Sequence, residues 1–192
     1  MEVNPLFMQR ALELAKNGAL DASPNPMVGA VIVDAGGKII GEGWHRRCGE
    51  GHAEVNAIAS VADESLLKDS TIYVTLEPCS HYGKTPPCAD LIISKGIPRV
   101  VVGCLDPFPE VSGRGIARLR EAGIEVVTGV LEEECRKLNE KFITAHTLQR
   151  PFITLKWAES ADGYLDARIS TPFTRMLAHK LRATSDAILV GS

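Results

Sequence analysis

Apolar residues at Leu6, Met8, Ala11, Leu12 and Ala15 recur at helical spacing, so residues 5–17 read as a helix, with Gly18 placed to cap its end. Pro24-Asn25-Pro26 interrupts that pattern. Residues 27–33 then form a nearly continuous apolar run, and Asp34-Ala35-Gly36-Gly37 turns it into residues 38–45, which predicts an antiparallel hairpin. A helical stripe from Ala53 and a polar connection over 63–69 lead to a strand over 71–75. Further on, the pattern predicts a helix over 88–95 behind Pro86-Pro87, an apolar strand over 99–105 and a helix over 113–122. A strand over 125–129 and one closing helix over about 132–147 follow. Strands alternating with helices imply parallel pairing with right-handed crossovers. The first three quarters of the chain therefore predict a mixed five-stranded sheet, a hairpin plus three parallel strands, between layers of helices. From Pro151 the character changes. Residues 178–181 read as helix and 187–190 as a strand.

Composition narrows the class. The chain has 192 residues, 45% of them apolar, with a net charge of -3, which suits a globular protein with one good core and part of a second. The acidic balance gives no general attraction to nucleic acid or anionic membrane, so any bound anion must be held by local cations. No apolar run approaches the roughly 20 residues of a membrane span, and the start lacks the layout of a signal peptide. The expectation is cytoplasmic. Five cysteines at spacings that form no disulfide ladder fit a reducing compartment, with Cys48, Cys104 and Cys135 read as packing residues.

The chemistry concentrates in two stretches. Thr75-Leu76-Glu77-Pro78-Cys79 begins a segment that reaches Cys88 through a loop containing one glycine and two prolines, and His52-Ala53-Glu54 lies upstream of it. One histidine and two cysteines, His52, Cys79 and Cys88, are donors of the kind tetrahedral zinc takes, and a fourth position left to water marks a catalytic site. H-x-E followed by P-C-x(n)-C is the pattern of zinc-dependent base deaminases, with the glutamate, here Glu54, moving protons and not binding the metal. In an ideal helix His52 and Glu54 would face nearly opposite sides, at about 100° per residue. The motif must therefore straddle a helix start, as Gly49-Glu50-Gly51 and the small Ala53 suggest.

Eight residues separate the two cysteines, where most nucleoside and nucleic-acid deaminases have two. With that insert, Gly51-His52-Ala53-Glu54 and the segment from Thr75 to Cys88 closely resemble the deaminase domain of the bifunctional riboflavin-biosynthesis deaminase/reductase family. The resemblance runs on through Asn25-Pro26-Met27-Val28-Gly29, His45, Asp106-Pro107, Gly113-Arg114-Gly115 and Leu138-Asn139-Glu140-Lys141-Phe142. It implies a three-layer α/β/α cytidine-deaminase-like fold over 1–148. It also implies a zinc site of His52, Cys79 and Cys88, with Glu54 catalytic. Asn25, His45, His81, Lys84 and Asp106 would then face a small-molecule phosphoribosylaminopyrimidine, with Lys84 and the histidines toward phosphate and Asp106 toward the base. Residues 149–192 resemble the start of the family's dihydrofolate-reductase-like α/β domain, which uses NADPH, as an incomplete fragment, and the resemblance implies that 151–157 is its opening strand. A homo-oligomer is the family expectation. One departure is Phe108, which stands where most members carry asparagine after Asp-Pro. Arg114 is a second candidate for the phosphate.

Two rivals differ in class. One is a zinc deaminase of another nucleobase or nucleoside, against which the acidic balance and long insert argue. The other is a structural zinc module in which Cys48 or His81 closes the fourth position. Cys79 and Cys88 lack the C-x-x-C spacing of a redox pair.

Overall fold

Strands β1 (Gly29–Val33), β2 (Ile39–Trp44), β3 (Thr71–Leu76), β4 (Arg99–Cys104) and β5 (Glu125–Thr128) form one sheet in the order β2-β1-β3-β4-β5. The structure is a computed structural model and describes residues 2–81, 86–108, 112–165 and 169–190. The chain divides into two compact units, Met1–Pro151 and Phe152–Ser192.

In the first unit β1 pairs antiparallel with both β2 and β3, while β3, β4 and β5 run parallel. Because successive side chains point to opposite faces of a strand, the apolar runs supply two cores at once. Ile72, Val74, Val100 and Val102 pack with Ala57, Ile92 and Leu119 from helices α2 (Ala53–Ala59), α3 (Cys88–Ser94) and α4 (Arg114–Glu121). Tyr73, Val101, Val31 and Val33 pack with Met8, Leu12 and Cys135 from α1 (Pro5–Ala15) and α5 (Glu132–Leu138). The architecture is the expected three-layer α/β/α arrangement on a mixed five-stranded sheet. Glycine sets the approach of one layer. A Cβ at Gly43 would lie 2.3 Å from the Ala57 nitrogen and 2.6 Å from the Ala53 oxygen, so the bare backbone of β2 lets α2 lie directly on the sheet.

Local departures from the expected elements have physical causes. The closing helix is two helices, α5 and α6 (Glu140–Leu148), broken at Asn139. That side chain leaves the helical pattern to clasp residue 27, accepting from the Met27 N–H and donating to the Met27 carbonyl, both at 2.8 Å. Gly18 does not cap α1 in the left-handed conformation. It ends a short 3-10 turn (Lys16–Gly18) and is buried where a Cβ would come 2.6 Å from the His45 oxygen. Cys48 is exposed and does no packing, whereas Cys104 and Cys135 are buried as expected. Their thiols are pushed up to about 12 by burial.

The second unit contains α7 (Pro172–Ala183), which begins at Thr171, whose side chain accepts from the Thr174 N–H at 3.2 Å. Residues 151–157 and 187–190 form no ladder, so these expected strands are not formed among the described residues. A strand is stable only with a neighbour to receive its backbone hydrogen bonds, and none of the described residues supplies one here.

Candidate active site

The carboxyl ends of β3 and β4 and the start of α2 converge, and open α/β sheets bind ligands outside the carboxyl ends of their parallel strands. His52 is the N-cap of α2, with extended backbone, and Glu54 lies in the first turn. The motif therefore straddles the helix start, which removes the opposition of faces a continuous helix would impose. Cys79 follows β3 by three residues, and Cys88 is the first residue of α3 after Pro87.

The three donor atoms lie within 4.8 Å of one another. His52 Nδ1 is 3.6 Å from Cys79 Sγ and 3.3 Å from Cys88 Sγ. For a tetrahedral ion at ordinary zinc–sulfur and zinc–nitrogen lengths, the nitrogen and sulfur would stand about 3.6 Å apart. The donor set fits zinc in both chemistry and spacing. Among the described residues no fourth histidine, cysteine or carboxylate joins the group.

The Cys88 N–H donates to Cys79 Sγ at 3.3 Å. A hydrogen bond from the Cys88 side chain, reinforced by His52, holds the Cys79 thiol well below its ordinary range. Cys88 is raised as the partner that keeps the proton. Its hydrogen bond with Cys79 raises His52. Glu54 is 3% exposed, and burial, with the charge of Cys79 adding to it, pushes its carboxyl up to about 7. A buried carboxyl near neutrality can both accept and return a proton at working pH.

Two of the expected substrate residues meet beside this centre. The Asn25 amide lies 3.1 Å from His45 Nε2, His45 Nδ1 lies 3.2 Å from the Gly51 carbonyl, and the His45 and His52 rings meet edge to face at 5.4 Å. A carbonyl only accepts, so Nδ1 carries the proton and Nε2 accepts from Asn25. The ring is neutral, in line with its lowering by burial. Asp106 is half-buried just beyond β4 and raised by burial, with His146, His81 and Cys79 close enough to act on its charge. His81 is exposed. Lys84 lies outside the described residues, as does Pro109.

Phe108 accounts for itself through α6. Its ring meets His146 edge to face at 5.8 Å, and His146 in turn packs on Phe142 at 4.4 Å. The Phe108 N–H donates to Asp106 at 2.8 Å, so the backbone still braces that carboxylate. Sequence reasoning passed over Glu77 and His146. The signal for Glu77 was its place directly before Pro78-Cys79 at the end of an apolar strand, where a charged residue is costly unless hydrogen-bonded. His146 carried no such signal.

The sequence pattern of the cytidine and deoxycytidylate deaminase zinc-binding region matches residues 1–104. A riboflavin biosynthesis protein RibD of Aquifex aeolicus (strain VF5) is 50% identical over 196 residues, covering 99% of this chain and 54% of that protein. Among solved structures, Acinetobacter baumannii RibD superposes with a TM-score of 0.87 at 43% identity, covering 94% of this chain and 52% of the other. A diaminohydroxyphosphoribosylaminopyrimidine deaminase/5-amino-6-(5-phosphoribosylamino)uracil reductase from Thermotoga maritima gives 0.84 at 49% identity, over 93% and 52%. This chain spans about half the length of the relatives it matches.

Proposed function

The chain belongs to the cytidine and deoxycytidylate deaminase zinc-binding family and matches the deaminase part of RibD, and we propose that it deaminates 2,5-diamino-6-(5-phosphoribosylamino)pyrimidin-4-one to 5-amino-6-(5-phosphoribosylamino)uracil in riboflavin biosynthesis. The observation that carries this reading is the meeting of His52, Cys79 and Cys88 beside the buried Glu54. His52, Cys79 and Cys88 would hold zinc, which when bound would lower the pKa of its water from about 15.7 to about 7. Glu54 takes the water's proton and passes it to a ring nitrogen as the water oxygen bonds to the amino-bearing carbon. It then takes the remaining proton from the added hydroxyl and delivers it to the amine as the carbon–nitrogen bond breaks and the carbonyl forms, so one water is consumed and one ammonia released. Burial of Glu54 supports both halves of that cycle.

Asn25, oriented by the neutral His45, holds the base, Asp106 takes its exocyclic groups, and His81 and Lys84 take the phosphate. Both His45 nitrogens are already engaged, which favours orientation over charge neutralisation. Phe108 gives the mouth an apolar wall in place of an amide. Residues 149–192 belong to the domain that carries the family's following NADPH-dependent reduction. The protein works in the cytoplasm as a homo-oligomer and binds no nucleic acid. Among the described residues no helix is long and apolar enough to cross a membrane.

Ammonia release by the zinc-loaded protein, from this pyrimidine beside guanine and cytidine, tests the reading. Turnover confined to the phosphoribosylaminopyrimidine, lost on chelation and restored by zinc, is the expected result. Turnover of guanine or cytidine instead would assign another base. Zinc bound with no turnover would leave a structural site.

A further inference from the structure

One buried carboxylate near the centre has no part in the chemistry above. Glu77 is 4% exposed and lies two residues before the ligand Cys79. Oε2 accepts from the Gly113 N–H at 2.9 Å and the Asp106 N–H at 3.3 Å, while Oε1 accepts from the Gly115 N–H at 2.9 Å and the Ile116 N–H at 3.4 Å. Four backbone donors fill the acceptor sites of an ionised carboxylate. The Glu77 N–H itself donates to the Cys104 carbonyl at 3.0 Å. The same contact explains Gly113-Arg114-Gly115. A Cβ at Gly115 would fall 2.0 Å from the Pro78 oxygen, so only glycine lets the start of α4 press against the segment leading to Cys79.

We infer that Glu77 is a positioning residue that ties the loop bearing Asp106 to the loop bearing Cys79, so that one carboxylate sets the distance between substrate contact and metal ligand. This rests on the deaminase reading above. Glu77 touches neither substrate nor reacting atoms. It acts through the backbone of residue 106 on one oxygen, through the start of α4 on the other, and through its own chain continuity with Cys79. A neutral amide cannot replace it, because a glutamine would turn an NH2 donor toward two N–H donors. Outer partners of metal sites are worth about 10- to 100-fold in affinity or activity.

The test compares wild type, Glu77→Gln and Glu77→Asp as zinc-loaded full chains, reading KM, kcat and zinc content. Glu77→Gln is expected to raise KM for the diaminopyrimidine about tenfold or more while keeping one zinc per chain. Glu77→Asp, which keeps the charge, should fall between it and wild type. A folded, zinc-replete Glu77→Gln with both constants within twofold of wild type overturns the inference, since a merely structural role would lower Tm alone. Wild-type protein supplies a readout that needs no variant. Binding of the deaminated product must slow amide exchange at Asp106, Gly113 and Gly115 together, and unchanged exchange at the two glycines overturns the tie. Absence of wild-type turnover would sink the deaminase reading and the tie with it, whereas wild-type turnover with unaltered Glu77→Gln kinetics would sink the tie alone.

Discussion

The two units of the chain treat apolar residues in opposite ways. Ile32, Ile72 and Val100 in the first unit are wholly buried, each on a strand flanked by paired neighbours. Leu155, Trp157 and Leu189 in the second are 77%, 64% and 99% exposed. Both units contain runs with strand-like composition, so intrinsic preference does not separate them. What separates them is supply of partners. A strand in the sheet satisfies its backbone on both edges and its side chains on both faces, whereas the described residues of the second unit offer neither. The chemistry follows the packing. Glu54 and Glu77, both deeply buried, can be held to a purpose only where a rigid surround fixes them, and both are in the first unit.

The largest expected effect therefore belongs to the first unit alone. Glu54→Gln should lower kcat by about 10²- to 10⁴-fold, the usual worth of a positioned proton carrier, with zinc content unchanged. Asp162→Asn in the second unit should leave kcat within twofold. Steady-state assays with metal analysis check both, and an equal loss at both positions would break the contrast.

Stability should divide in the same way. Ile72→Ala leaves a cavity in a closed core and should cost about 2–5 kcal/mol. Leu189→Ala removes a side chain that is already in water and should cost no more than about 0.5 kcal/mol. Urea titrations of the two variants give the comparison directly.

Much of this was legible in the sequence because periodicity and partner supply agree in the first unit. Residues 27–33, 71–75 and 99–105 announce buried strands, and Gly49-Glu50-Gly51 before His52 announces a helix start at the motif. The meeting of His52, Cys79 and Cys88 was readable for a related reason: one histidine and two cysteines are donors of the kind zinc takes. What could not be read depends on contacts distant in sequence. Asn139 breaks a helix to hold residue 27, 112 positions away, and Glu77 gathers N–H groups from residues 106, 113, 115 and 116. Phe108 signalled a changed contact, but its partner His146 lies far along the chain on α6. In the second unit the strands expected over 151–157 and 187–190 failed as structure for want of a neighbour.

The smallest effect sharpens the contrast at the surface of the first unit itself. Arg10 grips Glu42 with two nitrogens, Nε to Oε1 at 2.7 Å and NH2 to Oε2 at 3.1 Å, joining α1 to β2. The hydrogen bond from Arg10 holds the Glu42 carboxyl below its ordinary value. A group whose pKa is lowered on folding contributes stability above its unfolded pKa and loses it as pH falls through the folded one. Glu42→Gln should therefore destabilise at pH 7 and cease to matter once the wild-type carboxyl is protonated in acid. Because the side chains are 43% and 32% exposed, water screens the pair and the cost at pH 7 should stay below about 1 kcal/mol. Thermal unfolding of wild type and variant between pH 3 and 7 reads it. A gap that persists at the acid end would mean that the neutral carboxyl and the amide differ in their hydrogen bonding with Arg10, and that the charge of Glu42 is not what joins α1 to β2.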